Sequence, residues 1–239
     1  MGFLDIHSHV LPGVDDGPPC LEVALGLLEG LTRAGFERVF ATPHQKKNQF
    51  LPSAVEIEQA HRQLDAAAAV ADHRVELGLG AENYWDDLFF ERVLEGTIPC
   101  YSGSRAFLYE LPGTIPSRLE ESLFRIATRG LLPVMAHPER NSYLCGDPAR
   151  LERVSRVSAL VVDLGAVGGD QGWRTGRIAR RLLAERIAHA AASDIHAPTD
   201  LRSIGAGIAW IGKKLGPAAT TRLLIENPRC ILTGELPDP

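Results

Sequence analysis

The stretch Asp5-Ile6-His7-Ser8-His9 ends the first apolar run of the chain, and Asp15-Asp16-Gly17 follows close behind. Side chains along a strand alternate between its two faces, so His7 and His9 lie on one face. Two neutral imidazoles side by side fill a core poorly and bind a metal ion well. We therefore predict a metal site at the end of the first strand, and we expect other strands to supply its remaining ligands.

The bulk properties of the chain are those of a folded globular protein. It has 239 residues, of which 45% are hydrophobic and 23% charged, and its net charge is −5. An acidic balance argues against a nucleic-acid-binding protein, which usually carries a basic face. No apolar run approaches the roughly 18 residues of a membrane span. Asp5 and His7 interrupt any signal peptide at once, so we expect a cytoplasmic protein without direct membrane insertion.

The cysteines argue against thiol chemistry. Cys20, Cys100, Cys145 and Cys230 lie far apart and form no C-x-x-C pair, so we expect them to be reduced and buried. An arginine follows Cys100 and Cys145 at the fifth position, one residue too early for a phosphatase loop of the C-x5-R type. The sequence therefore gives no support to a phosphatase with a cysteine nucleophile.

Short apolar runs alternate with longer amphipathic ones along the whole chain. The predicted strands are Phe3–Ile6, Arg38–Ala41, Arg74–Gly80, Ala106–Leu111, Leu132–Ala136, Ala159–Leu164 and His189–Ser193. Helices are predicted near 20–34, 53–72, 86–95, 117–129, 148–156, 173–186, 203–214 and 217–225. Ser53 and Ser117 are expected N-caps, and Gly35, Gly96 and Gly130 are expected to follow helix ends. Seven β-α units without a break in composition predict an α/β protein with one domain, residues 1–239, folded as a closed or nearly closed barrel.

Polar residues follow most of the predicted strands directly. In a β/α barrel these strand ends form one rim, where residues distant in sequence meet. Alone, each such residue has an ordinary interpretation, as a hydrogen-bonded histidine, a solvated carboxylate or, for Asp16, a turn residue. His61, His73 and His189 do not fit the pattern, and we expect them to be structural. The residues that do fit are His7, His9, His44, Glu82, Glu110, His137, Asp194 and His196.

With Asp16, this set comprises five histidines and four carboxylates, which is too many ligands for one four-coordinate ion. A bridging carboxylate lets two cations lie about 3.5–4 Å apart, so we expect two or three divalent ions. Ligation by imidazole and carboxylate without thiolate suits Mn, and also Fe or Zn.

The residues at these strand ends resemble those of the PHP (polymerase and histidinol phosphatase) superfamily. More narrowly, they resemble the bacterial PHP-type protein tyrosine phosphatases of capsular and exopolysaccharide operons. The long extension after His-x-His makes the narrower resemblance specific. The matching stretches are 5–17, 41–44, 80–82, 109–110, 136–141, 192–196 and 226–228.

The resemblance implies a distorted (β/α)7 barrel with a trinuclear metal centre. It gives metal-ligand roles to His7, His9, Asp16, His44, Glu82, Glu110, His137, Asp194 and His196. It implies that Arg140 contacts phosphate, with a salt bridge at the rim, for example to Glu139, as the less favoured alternative. Arg202 is a candidate substrate contact by the same resemblance, although it lies about one position beyond the place of the family's second arginine. Asp163 stands where the subfamily often has Asn, and we assign it no role. The implied partner is an autophosphorylating tyrosine kinase with a tyrosine-rich tail.

The expected activity is hydrolysis of a phosphomonoester, preferentially phosphotyrosine, by a metal-activated water. Phe50, Tyr84, Trp85 and Tyr143 follow ligand-bearing strands and are candidates for contacts to the substrate, with ordinary loop packing as the alternative. Three other functions remain open. They are a PHP phosphatase for a small metabolite such as histidinol phosphate, a non-catalytic scaffold that docks a kinase, and a metal-dependent amide hydrolase.

Overall fold

The computed structural model describes residues 2–71 and 75–239, in which strands and helices alternate. The strands are β1 (Phe3–Ser8), β2 (Phe36–Ala41), β3 (His44–Gln45), β4 (Glu76–Leu79), β5 (Glu82–Tyr84), β6 (Ala106–Glu110), β7 (Leu132–Ala136), β8 (Ala159–Asp163) and β9 (Ala190–Ala192). The helices are α1 (Leu21–Ala34), α2 (Ala54–Val70), α3 (Asp87–Glu95), α4 (Leu119–Thr128), α5 (Ser142–Cys145), α6 (Pro148–Ser155), α7 (Leu164–Gly168), α8 (Gly172–Ala184), α9 (Leu201–Leu215), α10 (Pro217–Thr221) and α11 (Asn227–Leu232). A π-helical turn, Arg222–Glu226, joins the last two helices.

Local sequence explains most of the helix ends. The Ser53 hydroxyl accepts a hydrogen bond from the Glu56 N–H, and the Glu56 carboxylate accepts one from the Ser53 N–H, which confirms the predicted cap of α2. Gly35 and Gly96 end α1 and α3 with left-handed backbones, as expected for glycines at these positions. The prediction for Ser117 is wrong, because the N-cap residue of α4 is Arg118, which makes no side-chain cap bond.

All strand pairs are parallel, and they form two sheets in the orders β1-β2-β4 and β3-β5-β6-β7-β8-β9. An isolated bridge between Ser8 and Ile195 joins the end of β1 to the segment after β9. The predicted α/β class with parallel strands is confirmed. The predicted closed (β/α)7 barrel is wrong for the part of the chain that the structure describes, since no closed ring of strands is found there.

Two breaks in the strands explain why two sheets are found in place of the predicted closed barrel. The run that begins as β2 is interrupted at Thr42-Pro43 before it resumes as β3, and the run of β4 is interrupted at Gly80-Ala81 before β5. Proline has no N–H to donate to a strand ladder, so pairing is lost at the first break. Backbone bonds still connect the breaks, since Gly80 N–H donates to Ala41 O at 2.8 Å and Glu82 N–H to Pro43 O at 3.1 Å. Arg74, the predicted start of β4, lies outside the described residues, as does His73.

Side-chain alternation divides the apolar residues between two clusters. In β8, Ala159 and Val161 belong to a cluster with Ile6, Phe40 and residues of β6, β7 and β9. Leu160 and Val162 belong to the larger cluster that includes the apolar faces of the helices. Both faces of the strands are thus buried, as in other parallel sheets, and the polar residues lie at the strand ends. Among the described residues, no helix is long and apolar enough to cross a lipid bilayer.

Candidate metal centre

His7 and His9 stand at the end of β1, and both are buried. Their Nε2 atoms lie 3.4 Å apart, as their spacing in the strand predicts. Nδ1 of His9 lies 2.7 Å from Oδ2 of Asp15, which leaves its Nε2 directed into the cluster. The same carboxylate accepts the N–H groups of Gly17 and His44, both at 3.1 Å. Asp15 therefore fixes one ring of the site and the loop that follows β1.

Glu82, the first residue of β5, lies at the centre of these groups. Its Oε2 is 2.9 Å from His44 Nδ1, 3.3 Å from His9 Nε2 and 3.5 Å from His7 Nε2. Its Oε1 is 2.8 Å from Nε2 of His137, which follows β7. One carboxylate thus faces four imidazoles that come from three strand ends. A carboxylate placed in this way could offer ligand atoms to more than one cation.

Asp194 faces the same imidazoles from the end of β9. Its Oδ1 lies 3.2 Å from His7 Nε2 and 3.5 Å from His9 Nε2. The backbones of Asp194 and His137 are left-handed, with φ of 50° and 33°. Non-glycine residues adopt this conformation at a cost, and such residues cluster at functional sites. Asn48, Arg118 and Arg186 also have positive φ, so the backbone agrees with a functional role for Asp194 and His137 but does not single them out.

Asp16, His44 and His196 form the open edge of the site. Asp16 Oδ1 lies 3.5 Å from Nε2 of His44 and 3.5 Å from Nε2 of His196. The His196 ring stacks on the His9 ring at a centroid distance of 4.1 Å. The Asp16 side chain is 44% exposed, whereas those of His9 and Glu82 are almost fully buried. Solvent and ligands therefore reach the cluster from the side of Asp16.

The structure brings together all nine residues to which the sequence assigns metal-ligand roles. They fall into four overlapping groups, and the candidate ligand atoms within each group lie within 4.8 Å of one another. The groups are His9, Asp16, His44 and His196; His7, His9 and Asp194; His7, Glu82 and His137; and His44, Glu82 and Glu110.

The donor atoms fit divalent cations. Among the described residues, four buried atoms of the cluster have no hydrogen-bond partner: His44 Nδ1, Glu82 Oε2, Glu110 Oε2 and Asp194 Oδ1. Two of them, His44 Nδ1 and Glu82 Oε2, are only 2.9 Å apart and still do not meet hydrogen-bond geometry. An unpaired buried carboxylate oxygen is costly, and lone pairs directed at a shared point are what a cation requires.

The electrostatics of the cluster keep two carboxylates ionised. Burial raises the pKa of Glu82, but the surrounding histidines outweigh it and hold that pKa well below the usual range. The pKa of Asp194 is likewise well below its usual range, because His7 and Arg140 outweigh burial. Burial and Arg140 lower the pKa of His137 to about 4, so its imidazole is neutral at pH 7. Anionic carboxylates and the neutral His137 imidazole are in the protonation states that bind metals. Burial lowers the pKa of His7 and of His9, but the neighbouring carboxylates outweigh it and raise both, so these two rings would release protons when a cation binds.

Arg140 lies next to the cluster in the turn Pro138–Arg140, and three neighbours fix its guanidinium. Nε donates to Gln171 Oε1 at 3.1 Å, and Nη2 donates to Asp163 Oδ2 at 2.9 Å and to Asp194 Oδ2. Gln171 Nε2 also donates to Asp163 Oδ2, at 2.8 Å. The Arg140 side chain remains 34% exposed, and it lines a cavity of about 450 Å³ together with Asp163, Gln171, Asp194 and His196.

Asp163 and Gln171 are the site residues that sequence reasoning missed. We assigned Asp163 no role, but its carboxylate lies between Arg140 and the first turn of α7, where it accepts the Gly165 N–H. The position of Asp163 at the end of a predicted strand was the available signal. Gln171 precedes α8 and carried no signal in the sequence.

The predicted contacts around the site have different surroundings. Tyr84 packs under Lys46, whose Nζ is 4.1 Å from the ring centroid, and Phe50 stacks on His44 at 5.8 Å. Tyr143 is 69% exposed. Trp85 is instead buried against Phe89, which favours the alternative of ordinary packing for this residue.

Arg202 and Cys20 also differ from what the sequence predicts, which is a substrate contact for Arg202 and a buried thiol for Cys20. Arg202 is exposed in the first turn of α9, and no ion pair joins it to the cluster within residues 2–71 and 75–239. All four cysteines are free, as predicted, but Cys145 alone among them is buried, since Cys20 is exposed and Cys100 and Cys230 are half-buried.

Fold and site together define an α/β protein with a histidine- and carboxylate-rich candidate metal centre at the ends of parallel strands. Comparison with known proteins identifies the family within this class. The chain belongs to the family described as capsular polysaccharide synthesis, CpsB/CapC, whose model matches residues 3–233. The family membership that the motifs predicted is thereby confirmed.

Relatives and solved structures agree with this assignment. The chain is 30% identical over 244 residues to the tyrosine-protein phosphatase CpsB of Streptococcus pneumoniae, covering 98% of this chain and all of that protein. Crystal structures of YwqE from Bacillus subtilis and of CpsB from S. pneumoniae, described as unique metal-dependent tyrosine phosphatases, include a chain that superposes with a TM-score of 0.88 at 23% identity. That match covers 97% of this chain and 95% of the other.

A zinc-containing histidinol phosphate phosphatase from Lactococcus lactis matches with a TM-score of 0.54 at 15% identity, covering 89% of this chain and 93% of the other. At these identities both structural matches show a shared fold.

Proposed function

We propose that this chain is a metal-dependent phosphomonoester hydrolase that acts on phosphotyrosine in proteins. The observation that carries the proposal is the arrangement of nine histidine and carboxylate side chains in four overlapping groups, with the Arg140 guanidinium beside them. The names of the relatives support phosphotyrosine as the substrate. We further propose one domain for residues 1–239, because the family model spans 3–233 without a break.

The nine side chains would hold two or three divalent cations, with Mn proposed as the native metal and Fe or Zn as alternatives. Four carboxylates, those of Asp16, Glu82, Glu110 and Asp194, offset the charge of two such ions. Bound cations would supply activation of a water molecule and neutralisation of the phosphate charge.

Arg140 would orient the substrate. Its Nη1 makes no hydrogen bond to the described residues, while Nε and Nη2 are held by Gln171 and Asp163. A fixed guanidinium with a free N–H edge matches the non-bridging oxygens of a phosphate. Tyrosine is a tolerable leaving group, because its phenol has a pKa near 10. We assign no general acid.

The proposed substrate is a phosphorylated protein, and its proposed source is a bacterial tyrosine kinase with a tyrosine-rich tail. The capsular polysaccharide description of the family supports a role in that pathway. The four free thiols support a reducing, cytoplasmic location.

Activity assays on the metal-loaded protein test the proposal. We expect hydrolysis of p-nitrophenyl phosphate, and faster turnover of a phosphotyrosine peptide than of the matched phosphoserine peptide. Equal turnover of the two peptides would remove the preference for tyrosine. Faster turnover of histidinol phosphate would favour a metabolite phosphatase, and failure on every phosphoester would favour a docking scaffold.

A further inference from the structure

Helix α8, together with the residue that precedes it, has an unusual composition for this protein. Residues 171–184 contain four arginines and no aspartate or glutamate, although the chain as a whole has a net charge of −5. Two of the arginines have partners within the fold. Arg180 donates to Val167 O at 2.9 Å, and Arg181 donates to Cys145 O at 2.8 Å. The other two, Arg174 and Arg177, are exposed.

Most exposed arginines on other helices pair with a glutamate one turn away. Examples are Arg62 with Glu58 at 3.4 Å and Arg156 with Glu152 at 2.6 Å. Arg174 and Arg177 have no carboxylate within 4.0 Å in the part of the chain that the structure describes. Arg177 instead lies over the Trp173 ring, 5.7 Å from its centroid. The positive charge of this turn is therefore not neutralised within the fold.

Trp173 itself is 78% exposed. Tryptophan is costly to leave in water and is enriched where proteins bind partners. An exposed tryptophan beside two unpaired arginines forms an aromatic and cationic surface, which we call the Trp173 surface and define as Trp173, Arg174 and Arg177.

This surface lies close to the candidate site. Gln171, which bonds to Arg140 at 3.1 Å, precedes Trp173 by two residues. Consecutive Cα atoms are about 3.8 Å apart, so the Cα of Trp173 is at most about 7.6 Å from that of Gln171. Arg177 lies one helical turn, about 6 Å, further along α8. An extended peptide advances about 3.3 Å per residue, so a chain with its phosphotyrosine at Arg140 reaches the surface within about five residues.

We propose that the Trp173 surface binds an acidic stretch of the polypeptide substrate, up to about five residues from the phosphorylated tyrosine. The inference rests on the proposed function and names a feature of its substrate. Charge complementarity identifies the occupant, because two unpaired guanidinium groups attract carboxylates or additional phosphates. Trp173 contributes apolar contact and stacks against the peptide backbone or a further aromatic residue.

The test compares three substrates in the metal-loaded protein. They are p-nitrophenyl phosphate, a phosphotyrosine peptide with glutamates at positions two to five on both sides of the tyrosine, and the same peptide with glutamines there. For the double variant Arg174→Glu/Arg177→Glu we expect kcat/KM on the glutamate peptide to fall by about 10-fold or more. Turnover of p-nitrophenyl phosphate and of the glutamine peptide is expected to be unchanged. Trp173→Ala is expected to raise KM for both peptides and to leave p-nitrophenyl phosphate turnover unchanged.

The matched control is Arg62→Glu/Arg156→Glu, which makes the same change in net charge on other helices. Raising the salt concentration from 50 to 300 mM, where the Debye length falls to about 6 Å, is expected to reduce the wild-type preference for the glutamate peptide. Equal kcat/KM for the two peptides in the wild type would overturn the inference, as would an equal loss in the control.

Fluorescence anisotropy of the labelled peptides separates this inference from the proposed function. If the wild type hydrolyses nothing, the proposed function fails. The inference about the Trp173 surface is still supported if the glutamate peptide binds more tightly than the glutamine peptide and the double variant abolishes this difference in affinity. Preferential binding of anionic vesicles or of DNA, without discrimination between the peptides, would contradict the acidic-peptide assignment.

Discussion

Oδ2 of Asp15 lies 2.7 Å from Nδ1 of His9, and this contact directs the other nitrogen of the ring towards Glu82 and His7. The next residue, Asp16, faces the histidines of the open edge instead. The two adjacent carboxylates in this turn thus have different roles. Asp15 orients a candidate ligand, and Asp16 is itself a candidate ligand.

This division predicts different responses to substitution. Carboxylates that orient a metal-bound histidine typically affect metal affinity by about 10–100-fold, so we expect a loss of that size for Asp15→Ala. Asp15→Asn keeps an oxygen near His9 Nδ1 and is expected to recover most of the affinity. Asp16→Ala is expected to lower the number of ions bound. Metal titrations in competition with a chelator measure all three. Full affinity in Asp15→Ala, or no change in Asp16→Ala, would contradict the assignment.

Gln171 is predicted to act on catalysis through Arg140. Gln171→Ala removes the acceptor at Arg140 Nε, and loss of one charge-assisted hydrogen bond is expected to weaken inhibition by inorganic phosphate by about 10-fold. Metal content is expected to stay the same. In an Arg140→Ala background the substitution is expected to have no further effect, because the group that it positions is gone.

Gln63→Ala, at an exposed glutamine of α2, is the control for this comparison. Additive losses in the double variant would show that Gln171 acts independently of Arg140. We use Gln171 because Asp163 also caps α7, so its substitution affects folding as well.

The cysteines are predicted to be dispensable. Cys145 follows the turn that contains Arg140, and its Sγ donates to Pro138 O at 3.2 Å. Burial and the nearby Glu139 raise the pKa of its thiol to about 12, so it is not a thiolate at pH 7. Cys145→Ser keeps a donor at this position and is expected to retain activity. A trapped phosphocysteine in the wild type, detected by mass spectrometry after acid quench, would refute this prediction.

Acid is predicted to destabilise the fold through His189. This buried histidine accepts the Leu160 N–H at 3.0 Å through Nδ1, and burial lowers its pKa to about 4. The folded-state pKa lies below the unfolded value near 6.5, so the unfolded chain takes up the proton first as the pH falls. Stability is therefore lost between pH 6.5 and 4, by roughly 3 kcal/mol from this group.

Urea unfolding of His189→Gln and of the wild type measures this contribution, with chelator present so that metal release does not differ between them. The wild type is expected to lose about 2 kcal/mol more than the variant between pH 7 and pH 5. Parallel losses in the two proteins would show that His189 does not titrate as proposed.

Local patterns in the sequence were sufficient to predict where strands end, but they were not sufficient to predict the contacts between the strand ends. The spacing of His7 and His9 follows from the period of a strand, and β7 was predicted with its observed bounds, Leu132–Ala136, because it is continuously apolar. β3 and β5 have two and three residues, too few to show any periodicity. Their separation from β2 and β4 depends on backbone breaks, which is why the closed barrel was predicted and not found.

The arrangement around Arg140 shows the same limit. The bonds from Arg140 to Asp163 and Gln171 join residues 23 and 31 positions apart. The position of Asp163 at a strand end indicates that it lies near the site but not that it contacts Arg140, and the sequence around Gln171 carries no signal. The nine candidate ligands were predictable because each follows a strand or its loop, whereas the residues that position Arg140 depend on how the turns pack in three dimensions.

The number and position of bound metal ions test the central claim most directly. Elemental analysis of the purified protein, combined with anomalous scattering from its crystals, gives both quantities. We predict two or three divalent ions per chain among His7, His9, Asp16, His44, Glu82, Glu110, His137, Asp194 and His196. A single ion, or ions elsewhere in a fully active protein, would contradict the multinuclear site.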